Sequence, residues 1–172
     1  MTTLATERLR LRPLVHADVP ALHRFYNDPE VRRYLWDNQQ VSTEQVTEVV
    51  VRSEACFGAL GAGFFAIEIR DQPGELAGFC GYRRFEESGQ PELLYGILPE
   101  YWGEGFVTEA ARAVLRHGFR DCGMEGVIAA TDTPNQRSVR VLQRLGMFFH
   151  ERREYHGLDT VFYGLTKEEF QD

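Results

Sequence analysis

Tyr101-Trp102-Gly103-Glu104-Gly105-Phe106-Val107-Thr108-Glu109-Ala110 is the stretch on which the fold turns. An apolar run, Leu93-Leu94-Tyr95-Gly96-Ile97-Leu98, comes just before it. Val107, Ala110, Ala111, Val114, Leu115 and Gly118 follow at helical spacing. A strand that runs through Gly-x-Gly into a helix start makes a cradle for an anion. The glycines let the backbone approach a bulky charged group, and the unpaired helix N–H groups point at it. A phosphate-bearing ligand is therefore expected, although a tight strand-to-helix turn without a ligand also satisfies a lone Gly-x-Gly. Phe106 and Val107 after Gly105 exclude a P-loop, which needs Lys-Ser/Thr there. Thr108 stands where a dinucleotide loop needs its third glycine.

Working outward, Glu7 to Pro13 alternates apolar and charged residues as a strand does. Asp18 can cap a helix with Val19, Leu22, Phe25 and Tyr26 on its apolar face, which Asp28-Pro29 ends. A short helical turn over Val31 to Leu35 and a helix opened by Ser42 or Thr43 follow. Strands are expected at Gly63–Arg70, Glu75–Phe85 and Glu92–Leu98, forming a meander with a turn at Asp71-Gln72-Pro73-Gly74. After the helix that the glycines open come a strand at Gly126–Thr131, a helix at Asn135–Leu145 ended by Gly146, and strands at Phe148–Arg153 and Thr160–Thr166. The strands flanking the glycine-loop helix should be parallel neighbours joined by a right-handed crossover. The expected fold is a mixed α/β (α+β) sheet, largely antiparallel with one parallel strand pair, and not a doubly wound one.

A chain of 172 residues is most economically one domain, spanning 1–172. No apolar run approaches the roughly 20 residues a bilayer span requires. The start, Met1 to Glu7, lacks the basic and apolar regions of a signal peptide. Cys56, Cys80 and Cys122 show neither metal nor redox spacing and read as reduced thiols of a cytoplasmic protein. None of the five histidines has ligand spacing, so no metal is expected. A net charge of −7 opposes bulk nucleic-acid binding and is compatible with a cationic substrate such as an amine.

Four pieces together resemble the GNAT superfamily of acyl-CoA-dependent N-acetyltransferases, in its ribosomal-protein-alanine acetyltransferase (Rim-type) branch. Thr6-Glu7-Arg8-Leu9-Arg10-Leu11-Arg12-Pro13 is similar to the branch's opening strand, and Asp18 through Leu35 to the helices after it. Trp102 through Ala110 is similar to the acyl-CoA pyrophosphate loop. Asn135-Gln136-Arg137-Ser138 with Leu145-Gly146-Met147 resembles the family's Asn-x-x-Ser helix and its Leu-Gly-Phe end, Met147 standing in for the phenylalanine. Glu100 takes the place of a frequent Gln or Arg, at a position that varies within the branch.

The resemblance implies acetyl-CoA as co-substrate, held by Ile97, Leu98, Trp102, Gly103, Glu104, Gly105, Phe106, Val107, Thr108 and Asn135. The sheet is then splayed around the acyl-CoA site, with helices on both faces. It implies acetyl transfer to a primary amine, either a peptide or protein N-terminal α-amine or a small-molecule amine. The alternative within the same fold is a non-catalytic acyl-CoA-binding sensor or interaction module. No nucleic acid or membrane is expected as partner, and a homodimer is compatible with the chain.

The reaction needs a free amine lone pair, a stabilised oxyanion and a hydrogen-bond or proton donor for the departing thiolate. Ser138 shares a helix face with Val141 and Leu142 and is the candidate donor, unless its hydroxyl only bonds the preceding turn. Asn135 can cap the helix, bond the cofactor, or do both. Glu154, in Glu154-Tyr155-His156-Gly157, resembles the branch's glutamate that works through a water. Glu92 matches a glutamate used by other members. Each reads equally well as a solvated surface carboxylate, with Glu154 slightly preferred. Arg137, Arg140 and Arg144 lie on one side of the last helix, facing either a nucleotide phosphate or solvent. The resemblance makes Tyr34, Trp36 and the first two helices candidates for the acceptor wall, although Trp36 reads equally well as core. Neutralising a lysine at pH 7 costs about 3–4 kcal/mol more than neutralising an α-amine, which favours an acceptor of low basicity.

Overall fold

The computed structural model describes residues 2–172. Among these residues eight strands form one sheet: β1 (Leu4–Ala5), β2 (Leu9–Pro13), β3 (Phe64–Ile69), β4 (Gly78–Arg84), β5 (Pro91–Ile97), β6 (Gly126–Asp132), β7 (Phe148–Tyr155) and β8 (Leu158–Thr166). Their spatial order is β1-β2-β3-β4-β5-β6-β8-β7. Every neighbouring pair is antiparallel except β5 and β6, which are parallel. The helices are α1 (Val19–Asn27), α2 (Pro29–Leu35), α3 (Thr43–Leu60), α4 (Phe106–Arg116) and α5 (Gln136–Arg144).

Local chemistry sets these boundaries. The Asp28 carboxylate accepts the amides of Glu30 and Val31, and Pro29 takes the first turn of α2. Ser42 and Gln45 form a reciprocal capping box at the start of α3, and Gly61, in the left-handed conformation, closes it.

The sheet divides the apolar side chains into two layers. Leu9, Leu11, Phe65, Ile67, Leu93 and Ile97 pack with α4 and α5 residues such as Ala110, Val114 and Leu142. Ala66, Phe64 and Phe79 pack with Leu22, Phe25, Tyr26 and Val31 of α1 and α2 and with Val46 and Val50 of α3. The alternation along β3, Phe64 to one side and Phe65 to the other, is the period-two pattern of a strand buried on both faces. On the α1 side, Arg12 bridges two buried carboxylates, bonding Asp18 at 2.7 Å and Glu68 at 2.7 Å.

The structure departs from the sequence reading in two informative places. The expected strand from Glu7 is shorter, because Thr6 and Arg8 leave the sheet to bind Glu109. The glycine-loop helix does not stop cleanly but widens into a π turn over His117–Asp121. The buried Tyr82 hydroxyl donates to the Val114 carbonyl at 2.8 Å, the acceptor that an α-helical Gly118 amide would use. An inserted donor of this kind loosens the helical ladder.

Candidate active site

The parallel pair creates the site by failing to continue. Glu92 and Ile128 are the one register pair between β5 and β6 among the described residues. Towards their C-terminal ends the strands part, and a cavity of about 720 Å³ opens between them. Its walls come from both layers: Val31, Tyr34 and Leu35 on the α2 side, Ser138 and Val141 on the α5 side.

The free edge of β5 follows from its pairing with β4. The Leu98 amide donates to the Ala77 carbonyl at 2.9 Å, and the Phe85 amide donates to the Gln90 carbonyl at 2.8 Å. Hydrogen-bonded and non-bonded pairs alternate between these two points. Leu93, Tyr95 and Ile97 therefore turn their backbone groups away from β4; Leu93 flanks the bridge to β6, and Tyr95 and Ile97 face the gap. The Ile97 carbonyl accepts the Trp102 indole N–H at 3.1 Å. Leu98 behaves differently from Ile97, since its amide is engaged with Ala77.

Gly103 and Gly105 both take positive φ, 81° and 78°. A Cβ at Gly103 would meet nothing within 4 Å, so that glycine opens onto free space. Gly105 is the N-cap of α4 and provides no side-chain hydrogen bond. The amides of Phe106, Val107 and Thr108 consequently lie at a helix N-terminus without helical acceptors. This cradle suits a diphosphate. Arg8 fixes it from behind, donating to the Glu104 carbonyl at 2.8 Å and to the Glu109 carboxylate at 2.7 Å. Burial opposes ionisation of Glu109, but hydrogen bonds from Thr6, the Arg8 amide and the Arg8 side chain outweigh it and hold the carboxyl below its ordinary range. Arg137 stacks over the Trp102 ring at 3.5 Å, joining α5 to the same loop.

Asn135 caps α5 by accepting the Ser138 amide at 3.3 Å, so the capping reading of that residue is realised. Ser138 lines the cavity, and its hydroxyl lies 2.9 Å from the Tyr95 hydroxyl. The Tyr95 hydroxyl oxygen also lies 3.1 Å from the Ser138 carbonyl oxygen. Burial pushes the Tyr95 phenol well above its usual range, against the opposing effect of the Ser138 hydrogen bond.

The two candidate carboxylates fare differently. Glu92 is 3% exposed, lines the cavity and accepts Arg83 Nε at 2.9 Å. Glu154 is exposed on β7 and lies outside the cavity lining, whereas Tyr155 and His156 beside it contribute to the wall. Tyr34 also lines the cavity. Trp36 instead packs edge-on against Tyr26, with ring centroids 5.2 Å apart.

Two residues with chemical potential escaped the sequence reading of the site. Tyr95 was visible only as part of an apolar run. Asp132 ends β6 and lines the cavity, and burial, with a smaller contribution from Asp37, raises its carboxyl above the usual value. Its position three residues before Asn135 was the available signal.

The faces are divided chemically. Leu94 of β5 and Leu98 just after it point to the α1–α2 layer, and Glu92 shares their alternation. Tyr95, with Leu93 and Ile97, points to the α4–α5 layer. Carboxylates thus face one opening of the gap and the two hydroxyls face the other. Among the described residues no group of three or more His, Cys, Asp or Glu side chains could hold a metal, and no helix is long and apolar enough to cross a membrane.

Comparison with known proteins agrees with this geometry. Residues 8–148 match the family model described as "Acetyltransferase (GNAT) domain". The uncharacterised N-acetyltransferase YoaA of Bacillus subtilis is 31% identical over 144 residues, covering 83% of this chain and 81% of that protein. A GnaT-family acetyltransferase structure from Bordetella pertussis superposes with a TM-score of 0.84 at 21% identity, covering 95% of this chain and 99% of that one. RimL, a ribosomal L7/L12 α-N-protein acetyltransferase solved with coenzyme A, superposes with a TM-score of 0.80 at 20% identity, covering 96% and 98%. With its one parallel pair parting around a glycine-capped helix, and a family match over most of its length, this chain belongs to the GNAT acetyltransferases as an acetyl-CoA-dependent N-acetyltransferase.

Proposed function

We propose that the protein transfers an acetyl group from acetyl-CoA to a primary amine of low basicity, either a peptide or protein N-terminal α-amine or a small-molecule amine, by direct attack on the thioester. The observation that carries this reading is the placement of Glu92 and Ser138 around one cavity, with the free β5 edge between them. When bound, acetyl-CoA supplies an activated acetyl carbonyl and a thiolate leaving group.

The amides from Gly103 to Thr108 cradle the diphosphate, with the Arg8–Glu109 pair holding their loop. The outward backbone groups of Tyr95 and Ile97 bond the pantetheine arm, and one such amide donates to the carbonyl oxygen as charge develops on it. Glu92 accepts the proton of the incoming ammonium, directly or through one water, with Arg83 orienting its carboxylate. Its burial in the cavity wall supports Glu92 for this role over the exposed Glu154. Ser138 donates a hydrogen bond to the sulfur as the carbon–sulfur bond breaks, and the proton that the newly acylated nitrogen sheds neutralises the departing thiolate through solvent. Tyr34, Tyr155 and His156 form the acceptor wall.

Thiol release from acetyl-CoA across a panel of N-terminal peptides, amino acids, polyamines and small amines tests the proposal. Amine-dependent release with at least one α-amine or low-pKa amine is the expected result. Tight coenzyme A binding without release for any amine would replace this reading with that of an acyl-CoA-binding module.

A further inference from the structure

We infer that Tyr95 is a positioning residue for the reaction: its phenol donates to Ser138 Oγ, which leaves the serine's own proton free to point at the sulfur. The inference rests on the acetyl-transfer reading above. Its basis is a contact between residues 43 apart in sequence.

The Tyr95 hydroxyl has one proton and two neighbours on Ser138, the side-chain oxygen at 2.9 Å and the carbonyl oxygen at 3.1 Å. Two arrangements satisfy these distances. In the first, the phenol donates to Oγ, and the serine proton is directed elsewhere, into the cavity. In the second, the phenol donates to the carbonyl, the serine donates to the phenol oxygen, and no proton faces the cavity.

Three considerations select the first. A phenol, with a pKa near 10, is a stronger donor and a weaker acceptor than an aliphatic hydroxyl. The shorter of the two contacts is the one to Oγ. The Ser138 carbonyl lies inside α5, where the amide four residues on already uses it. Tyr95 is packed among core residues of the α4–α5 layer, so its hydroxyl is held in place rather than swinging in solvent. A half-buried phenol held well above its usual range gives up no proton here. It acts through a hydrogen bond, and no covalent step passes through it.

The two arrangements predict opposite signs for one substitution. Tyr95→Phe keeps the ring and its packing and removes only the hydroxyl. If the phenol directs the serine, turnover falls by about tenfold while the KM for acetyl-CoA stays within about twofold, the loss of one hydrogen bond to a developing charge. Tyr95→Phe in a Ser138→Ala background then changes nothing further, because the group it directs is gone. If the phenol instead ties up the serine proton, Tyr95→Phe leaves turnover unchanged or raises it, and the inference is overturned. Additive losses in the double variant overturn it as well.

A binding measurement reads the same contact without turnover. Calorimetric titration of the full chain with coenzyme A and with its desulfo analogue compares affinities that differ by the sulfur alone. The wild-type protein should prefer coenzyme A by about fivefold or more, and Tyr95→Phe should bring the two within about twofold. Equal affinities in the wild type, or a preference that survives the substitution, sink the inference. A wild type that shows the sulfur preference yet acetylates no amine would sink the acetyl-transfer reading and leave the Tyr95–Ser138 contact standing.

Discussion

Glu92 faces Ile128 in parallel register, and among the described residues β5 and β6 share no pair beyond it. A single bridge therefore separates a continuous sheet from an open one. The carboxylate at that bridge is buried in the cavity wall with a guanidinium beside it, which makes it the most consequential acidic group to remove.

Glu92→Gln should lower kcat by about 10²-fold, within the range of a lost general base, and abolish the acidic limb of the pH–rate profile. Glu154→Gln should leave both unchanged. A lost acidic limb in Glu154→Gln with an intact one in Glu92→Gln would reverse the assignment.

Gly105→Ala should weaken coenzyme A binding with little effect on kcat at saturation. The residue sits at φ 78°, where a Cβ costs roughly 1 kcal/mol or more. The loop must shift to relieve that strain, moving the amides of Phe106 to Thr108 out of their concave arrangement. Isothermal calorimetry should show about a tenfold loss of affinity, and full affinity in the variant would remove the cradle from the account.

Asp132→Asn should modestly stabilise the protein at neutral pH. The folded-state carboxyl titrates above its ordinary value, chiefly because burial disfavours its charge. Its neutral form is the one the fold tolerates, so its contribution is present at low pH and is lost as pH rises through the raised value. Removing the charge should add less than about 1 kcal/mol. Thermal unfolding of both proteins at pH 5 and pH 8 reads the sign, and a variant that melts below the wild type at pH 8 would contradict it.

Arg12→Met should be among the most destabilising single changes. It leaves Asp18 and Glu68 buried without their shared cation, a loss of roughly 3 kcal/mol. Burial opposes ionisation of both carboxyls, but the hydrogen bonds they accept outweigh it and hold them below their usual values. The stability they contribute is fully present above the unfolded-state values of 3.8 and 4.5 and is lost as pH falls through the lower folded ones. Wild-type denaturant midpoints should therefore stay level from pH 7 to pH 5 and drop at lower pH. Arg12→Met should flatten that drop.

The sequence made the topology legible where one local signal carried it. Gly103 and Gly105 between an apolar strand and an amphipathic helix already implied the parallel pair, and Ser42 marked a helix start that the structure realises; Asp18, read as the cap of α1, instead spends its carboxylate on Arg12 and the Val15 amide and makes no cap bond to that helix. Contacts across the fold were not legible. Nothing in the spacing of Tyr95 and Ser138, or of Arg8 and Glu109, announces that they meet, because tertiary packing brings them together. Side-chain direction on β7 was hidden for another reason. The pairing of β7 with β8 slips between Phe149 and Glu151, and a bulge of one residue reverses which face each later side chain takes. Gly164 accommodates it, since a Cβ there would collide with the His150 ring. Glu154 lies beyond that slip, so its orientation could not be read by counting alternate positions.

In the proposed transfer, the gap through the sheet gives each reactant its own doorway. A change in α2 or in the tip of the last hairpin would retune which nucleophile is admitted while the donor's berth, built by α4 and α5, stays as it was. Divergence in acceptor choice among proteins of this architecture then requires remodelling only one side of a shared partition.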